Sequence, residues 1–329
     1  MSKFAAMKPG PRLIRALVVV VMISAGLVVA TSSASAVPVT INLCAQPGTA
    51  TLTGTTTVPI WGFGIPTTPG DCGTATASLP GPLLEVNEGD TVTVNITNAL
   101  LADHTLTFEI PGITFDPGPT DIAAGASGTV SFTASAPGTY QYQSGGGSGR
   151  QRAMGLAGAL IVRPPTANQA YDDATTAYDV EATVVLGAVD PNFNNAPDTF
   201  ELYNYRATYW LINGNAYPDT PAITAPAGQR LVLRYLNAGY DNTSMVLLGA
   251  HQHVVARDAR LLNNAFNAVA ETIPAGATED AIVTVPTSAP PTTNGFPLYN
   301  RQLHLTNGPQ TGNGPAPATG GGMLTFVHP

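Results

Sequence analysis

Period-two alternation of apolar and polar positions recurs along the chain. Val92, Val94 and Ile96 alternate with Thr91, Thr93, Asn95 and Thr97, and Leu231, Leu233 and Tyr235 alternate with Arg230, Val232 and Arg234. Because successive side chains of a strand point to opposite faces, each run predicts a β-strand with one buried face. The two runs sit in matching frames: Glu88-Gly89-Asp90 to Asn98-Ala99 parallels Ala227-Gly228-Gln229 to Asn237-Ala238 at a constant offset. Further on, Gly138-Thr139-Tyr140 parallels Gly295-Phe296-Pro297, and Gly158 to Val162 parallels Gly322 to Phe326, at a larger offset. A duplication of this length exceeds any solenoid repeat and fits two β-sandwich domains, the second with longer loops. The expected domains are residues 37–165 and 175–329. Pro164-Pro165-Thr166-Ala167-Asn168 opens a stiff, polar linker over 166–174. Leu261 to Ala270 is the one stretch expected as a short helix or turn, and Tyr171 to Tyr178 is too polar to assign.

Composition narrows this further. Gly 34 and Pro 29 among 329 residues are too many for long helices and leave an all-β class. A net charge of −8 excludes a basic nucleic-acid-binding footprint, and 44% hydrophobic residues against 10% charged excludes a disordered chain. Residues 1–36 carry Lys3, Lys8, Arg12 and Arg15, an apolar run from Ala16 to Ala30, and then Ala34-Ser35-Ala36, the pattern of a cleaved secretory signal peptide. The expectation is a secreted or periplasmic protein with no membrane contact after cleavage. Lys3 and Lys8 are the only lysines, so a lysine nucleophile is excluded from the mature chain. In an oxidising compartment Cys44 and Cys72 are expected to form a disulfide rather than a reactive pair.

An ordered set of motifs carries a resemblance. Pro80-Gly81-Pro82 leads to Glu88-Gly89-Asp90, then come Gly138-Thr139-Tyr140 and Gln151-Arg152-Ala153-Met154-Gly155-Leu156-Ala157-Gly158-Ala159-Leu160-Ile161-Val162. Leu211-Ile212-Asn213-Gly214, Tyr217-Pro218-Asp219-Thr220-Pro221, Leu236-Asn237-Ala238-Gly239 and Val254-Val255-Ala256-Arg257-Asp258 follow in order. Over roughly Val58 to Phe326 the chain resembles the multicopper oxidases, which implies two tandem cupredoxin-like Greek-key β-sandwich domains. The resemblance also implies one blue copper held by two His and a Cys thiolate, and a three-copper cluster held by His-x-His pairs. The first pair falls near Glu109-Ile110-Pro111, and the second falls on Gln143 and Gly145. A further His-x-x-His-x-His cluster falls near Ser244, Leu247 and Gly249, and the His-Cys-His strand falls between Tyr299 and Met323, although no cysteine follows Cys72. The type 1 and trinuclear ligand positions are thus vacated. Two-domain relatives often form trimers, so the resemblance implies a possible homo-oligomer or another extracellular partner.

His251-Gln252-His253 is the only His-x-His in the chain, and with His304 it offers a relocated metal site for copper, zinc or nickel. The competing reading gives these three, and His104 and His328, structural or surface roles. Met154, Met245 and Met323 lie in apolar contexts and are expected to pack. Gly145 to Gly149 lacks a following Lys and reads as a flexible loop where copper ligands stood rather than a phosphate cradle. No Gly-x-Ser-x-Gly or His-Glu-x-x-His occurs, so no catalytic residue is assigned. The expected function is a non-catalytic binding or structural component with no cofactor. The alternative is a copper-dependent oxidoreductase with a relocated or partner-completed copper site.

Overall fold

The computed structural model describes residues 37–101, 104–116, 118, 121–308 and 321–329; the leader lies outside the described residues. The first half forms β1 (Pro38–Thr53), β2 (Thr56–Gly64), β3 (Leu84–Asn87), β4 (Thr91–Asn98), β5 (Leu106–Glu109), β6 (Asp121–Ile122), β7 (Ser127–Thr133), β8 (Gly138–Ser144) and β9 (Ala157–Arg163). They pair as one sheet in the order β2-β1-β4-β7 and a second in the order β3-β9-β8-β5-β6. The second half forms β10 (Val180–Val189), β11 (Tyr209–Ile212), β12 (Ile223–Thr224), β13 (Arg230–Asn237), β14 (Thr243–Leu247) and β15 (Gln252–Arg257). It continues with β16 (Arg260–Ala268), β17 (Ala270–Ile273), β18 (Thr278–Thr284), β19 (Phe296–Asn300) and β20 (Leu324–His328). Here the orders are β11-β10-β13-β18-β15-β16 and β12-β20-β19-β14-β17. Strand for strand the second pair of sheets repeats the first, parallel β1–β4 matching parallel β10–β13, with the hairpin β15–β16 added at one edge. Helix is confined to short pieces such as α1 (Arg150–Ala153) and α2 (Pro191–Asn195).

The repeated frame has a physical basis at its last residue. Asn98 closes β4, donating Nδ2 to the carbonyls of His104 (2.7 Å) and Ile122 (2.8 Å) and accepting the Leu100 amide on Oδ1. Asn237 closes β13 the same way, donating to Asp241 and Ile273, both at 2.9 Å, and accepting from Gly239. A buried asparagine satisfied at every position ties the end of its strand to the turn that follows. Cys44 on β1 and Cys72 are joined by a disulfide, which closes a loop of sequence separation 28. On the chain-entropy model that closure contributes roughly 3–4 kcal/mol.

Alternation predicts β4 correctly: Val92, Val94 and Ile96 are buried in the first core, and Thr91 is exposed. It fails on β13, where Arg234 has no exposed surface and Val232 is equally buried. The second face of β13 is covered by the first sandwich, and β8 meets it with all seven residues buried. Leu261 to Ala268 forms most of strand β16 instead of a helix or turn, because Ala256 to Arg257 and Gln252 to Val254 of β15 supply ladder partners. The segment expected as a polar linker buries Ala170 and Tyr171.

Apolar clusters join Leu52, Val58 and Ile60 to Val189 and Leu211, and Ala159 to Val185 and Leu236, across the seam between the sandwiches, and charge fills the part beside β8. Arg234 donates Nε to Glu181 on β10 (2.5 Å) and Nη1 to Asp280 on β18 (3.3 Å) and to the Thr139 hydroxyl on β8 (3.1 Å). Asp280 also accepts the hydroxyls of Thr139 (2.7 Å) and Tyr171 (2.5 Å). Glu181 takes a second guanidinium from Arg163 (2.6 Å), which reaches on to Glu85 on β3. Burial disfavours the charge of Arg234, yet Asp280 and Glu181 hold its pKa above the ordinary value. Burial likewise pushes Asp280 up, against the pull of Arg234 and the two hydroxyls. Removing one partner leaves opposite charges stranded in a low dielectric. Arg234→Met is expected to lower the unfolding free energy by about 3–5 kcal/mol. Arg163→Met, at the partly exposed end, is expected to cost about 1 kcal/mol. Urea denaturation of the two variants checks this, and equal losses would contradict it.

Candidate functional site

Strand β8 sets the geometry of the site. Tyr140 and Tyr142 point into the first core, where the Tyr142 hydroxyl donates to the Pro82 carbonyl at 2.6 Å and burial pushes its pKa well up. Thr139, Gln141 and Gln143 alternate with them on the other face. Gln143 pairs with Glu109 of β5 in the ladder and donates Nε2 to its carboxylate at 2.6 Å. Gln141 donates Nε2 to the Gln143 carbonyl at 2.8 Å. The carboxylate thereby fixes the orientation of both carboxamides. The Gln141 carbonyl is left buried without a partner.

The glycine run continues this arrangement. A Cβ on Gly145 would lie 2.8 Å from the Glu109 carboxyl carbon, so the carboxylate fills the space a side chain would need. A Cβ on Gly146 would meet Gln151, which bonds the Ser144 hydroxyl and donates to the Thr105 carbonyl at 2.8 Å. Gly147 to Gly149, expected as part of a flexible loop, form a helical turn leading into α1, and the Tyr240 hydroxyl of the second sandwich donates to the Gly149 carbonyl at 2.9 Å.

The vacated positions can be tested for fit to copper by their donors. Gln143 and Glu109 satisfy one another, and Gly145 offers no donor side chain. Ser244 is bonded to the Thr272 hydroxyl at 2.6 Å, and Leu247 is buried in the second core. Gly249 has φ +94°, and a Cβ there would sit 3.0 Å from Phe296. No imidazole or thiolate stands at any of these positions, whereas blue and trinuclear copper depend on such ligands. The residues present do not fit these copper centres.

The remaining histidines lie apart from that cluster. His251 is exposed just before β15, and His253 on β15 has its Nδ1 2.8 Å from the Asn267 side-chain oxygen. Gln252 between them points inward and accepts the Tyr235 hydroxyl at 2.6 Å. His304, in the turn after β19, stacks on Trp210 with ring centroids 4.2 Å apart and planes 14° apart. Burial lowers its pKa, with Asp241 opposing. His104 lies against Trp61 with centroids 4.4 Å apart, 3.4 Å from Asp198. Among the described residues no group of three or more His, Cys, Asp or Glu side chains is gathered as a metal requires, so His304 does not join His251 and His253 in one. Met154, Met245 and Met323 are buried in the two cores.

Sequence reasoning missed a second polar region at the end of β15. Arg257 donates Nε to Glu279 at 3.0 Å and Nη2 to Glu271 at 2.6 Å. The other oxygen of Glu279 is buried without a partner. Burial pushes Glu279 up to about 7 against the pull of Arg257, and Glu271 and Asp280 add like charge. The Tyr-Gln-Tyr-Gln alternation of 140–143 is the one sequence signal for the region, since polar residues at every second position of a central strand need a polar partner face.

A family model for a multicopper oxidase domain matches residues 69–167. The chain is 27% identical over 238 residues to Laccase-3 of Oryza sativa subsp. japonica, covering 64% of this chain and 40% of that protein. It is 26% identical over 210 residues to the multicopper oxidase MmcO of Mycobacterium tuberculosis, covering 54% and 41%. The chain thus spans about two-fifths of the length of these curated relatives. Among solved structures it is similar to a blue copper oxidase from Nitrosomonas europaea, with TM-score 0.73, 21% identity, and 88% and 85% of the two chains covered. A copper nitrite reductase from Nitrosomonas europaea matches with TM-score 0.64, 19% identity, and 81% and 89% covered. These likenesses show the cupredoxin-type sandwich fold.

A carboxylate whose folded pKa is raised binds protons more tightly in the folded chain, so its contribution favours folding at low pH and is lost as pH rises from about 4.5 through 7. The fall amounts to roughly 3 kcal/mol. Urea unfolding of the wild type between pH 5 and 8 is expected to show this decline, and Glu279→Gln is expected to flatten it. A variant whose stability still falls by the same amount would place the titration elsewhere.

Proposed function

From its membership of the multicopper oxidase family we propose that this chain keeps the paired β-sandwiches without the type 1 and trinuclear copper centres, and acts outside the membrane as a non-catalytic binding or structural component. The observation that carries the reading is the Gln143–Glu109 hydrogen bond, on adjacent strands where the resemblance places paired histidines. A carboxamide satisfied by a carboxylate is a closed polar contact rather than an open set of copper donors. The absence of any cysteine after Cys72 supports the same reading for the blue site. An extracellular or periplasmic location is supported by the leader pattern of residues 1–36 and by the Cys44–Cys72 disulfide. Among the described residues no helix is long and apolar enough to cross a membrane.

Elemental analysis of the purified protein after copper loading and desalting is expected to find no stoichiometric copper, with no intense blue absorption and no oxygen uptake on a phenolic substrate. One tightly bound copper per chain, released by His251→Ala, would replace this reading with a relocated-site oxidoreductase.

A further inference from the structure

A cleft of about 480 Å³ lies where the two sandwiches meet, between the Pro111-Gly112 loop, β8, the β15–β16 turn and the turn that precedes β18. The β15–β16 connection is the two-residue turn Asp258-Ala259, with both residues at positive φ (48° and 56°). Two-residue hairpins favour this backbone, although non-glycine residues adopt it at a cost. The turn is held by its docking: Ala259 is buried in the first core, and a Cβ on Gly138 would lie 2.8 Å from the Ala259 Cβ. The second sandwich thus plants a polar hairpin end on the first, and Gln141, Arg257, Asp258 and Arg260 are among the polar groups that line the cleft beside it.

Their chemistry is complementary to one class of ligand. Gln141 is 2% exposed, and its carbonyl oxygen has no hydrogen-bond partner. Its amide cannot turn over to relieve this, because Gln143 takes the Nε2 hydrogen and Glu109 fixes Gln143. A buried acceptor of this kind carries a desolvation penalty that a ligand donor removes. Arg260 is exposed and pairs with no acidic side chain among the described residues. Its charge is felt at Tyr140, where burial raises the phenol and Arg260 opposes that rise. Arg257, by contrast, is already engaged by Glu279 and Glu271. Asp258 accepts the Thr278 amide on one oxygen at 3.1 Å. The lining of the cleft therefore holds one free guanidinium, the Asp258 carboxylate and the buried, unpartnered Gln141 carbonyl, within the volume range of small-molecule sites.

We propose that this cleft binds a small polyhydroxylated carboxylate of the sugar-acid class, its carboxylate paired with Arg260 and its hydroxyls donated to Gln141 and Asp258. The inference is independent of the copper reading, since Arg260, Gln141 and Asp258 are not among the vacated ligand positions, and its failure leaves that reading untouched. Isothermal titration of the purified protein with D-glucuronate is expected to show saturable binding at one site. Arg260→Gln, D-glucose in place of glucuronate, and acetate in place of glucuronate are each expected to weaken binding by about tenfold or more. Arg260 is exposed, so its variant keeps the fold, and circular dichroism with thermal melting verifies this. Absence of saturable glucuronate binding would overturn the proposal. So would glucose binding as tightly as glucuronate, or wild-type affinity in both Arg260→Gln and Gln141→Met.

Discussion

A guanidinium with no exposed surface lies at the seam between the two halves of this chain. Arg234 lies on a strand whose other face is the core of the second sandwich, and it meets carboxylates from β10 and β18 and a hydroxyl from β8. Such a group is tolerated inside a protein only when its charge is matched; Nε and Nη1 are used, while Nη2 is buried without a partner. Glu181 and Asp280 match the charge from within the second sandwich, Thr139 is the contact to the first, and Arg163, pairing with both Glu181 and Glu85, extends the chain of charges across the seam to the rim. Together with the apolar clusters that join Leu52, Val58 and Ile60 to Val189 and Leu211, and Ala159 to Val185 and Leu236, this network lies in the docking that buries β8 on both faces and places Thr139, Gln141 and Gln143 in a seam rather than in solvent.

That burial governs the chemistry of the seam. A side chain facing water at position 143 could exchange partners freely; one enclosed between sheets must be satisfied by its neighbours. Glu109 and Gln143 satisfy each other across the ladder, and the Glu109 carboxylate occupies the volume in front of Gly145. The positions where the family resemblance places copper ligands are therefore filled by a self-contained polar contact. The same enclosure leaves Gln141 with an unused carbonyl at the cleft and holds Glu279 close to neutral titration.

Much of the fold was legible in the residues. The two frames ending at Asn98 and Asn237 mark equivalent strand ends, since each asparagine makes the same three hydrogen bonds. Alternation on β4 reports burial correctly because that strand has one face toward solvent. On β13 the same pattern misleads, because burial of the polar face depends on docking to the other sandwich, a tertiary event with no local signal. Leu261 to Ala268 illustrates the same limit, its strand state being imposed by pairing with β15. The missing thiolate and imidazoles could be counted directly from the sequence. What replaced them could not, since Glu109 and Gln143 are far apart in the chain and meet only through the β5–β8 ladder.

The most direct test of the account is anomalous scattering at the copper edge from crystals grown with excess copper. The account predicts no anomalous peak between β5 and β8, with the Gln143 amide still donating to Glu109. A copper peak within bonding distance of Glu109 or Gln143, with that hydrogen bond broken, would contradict it.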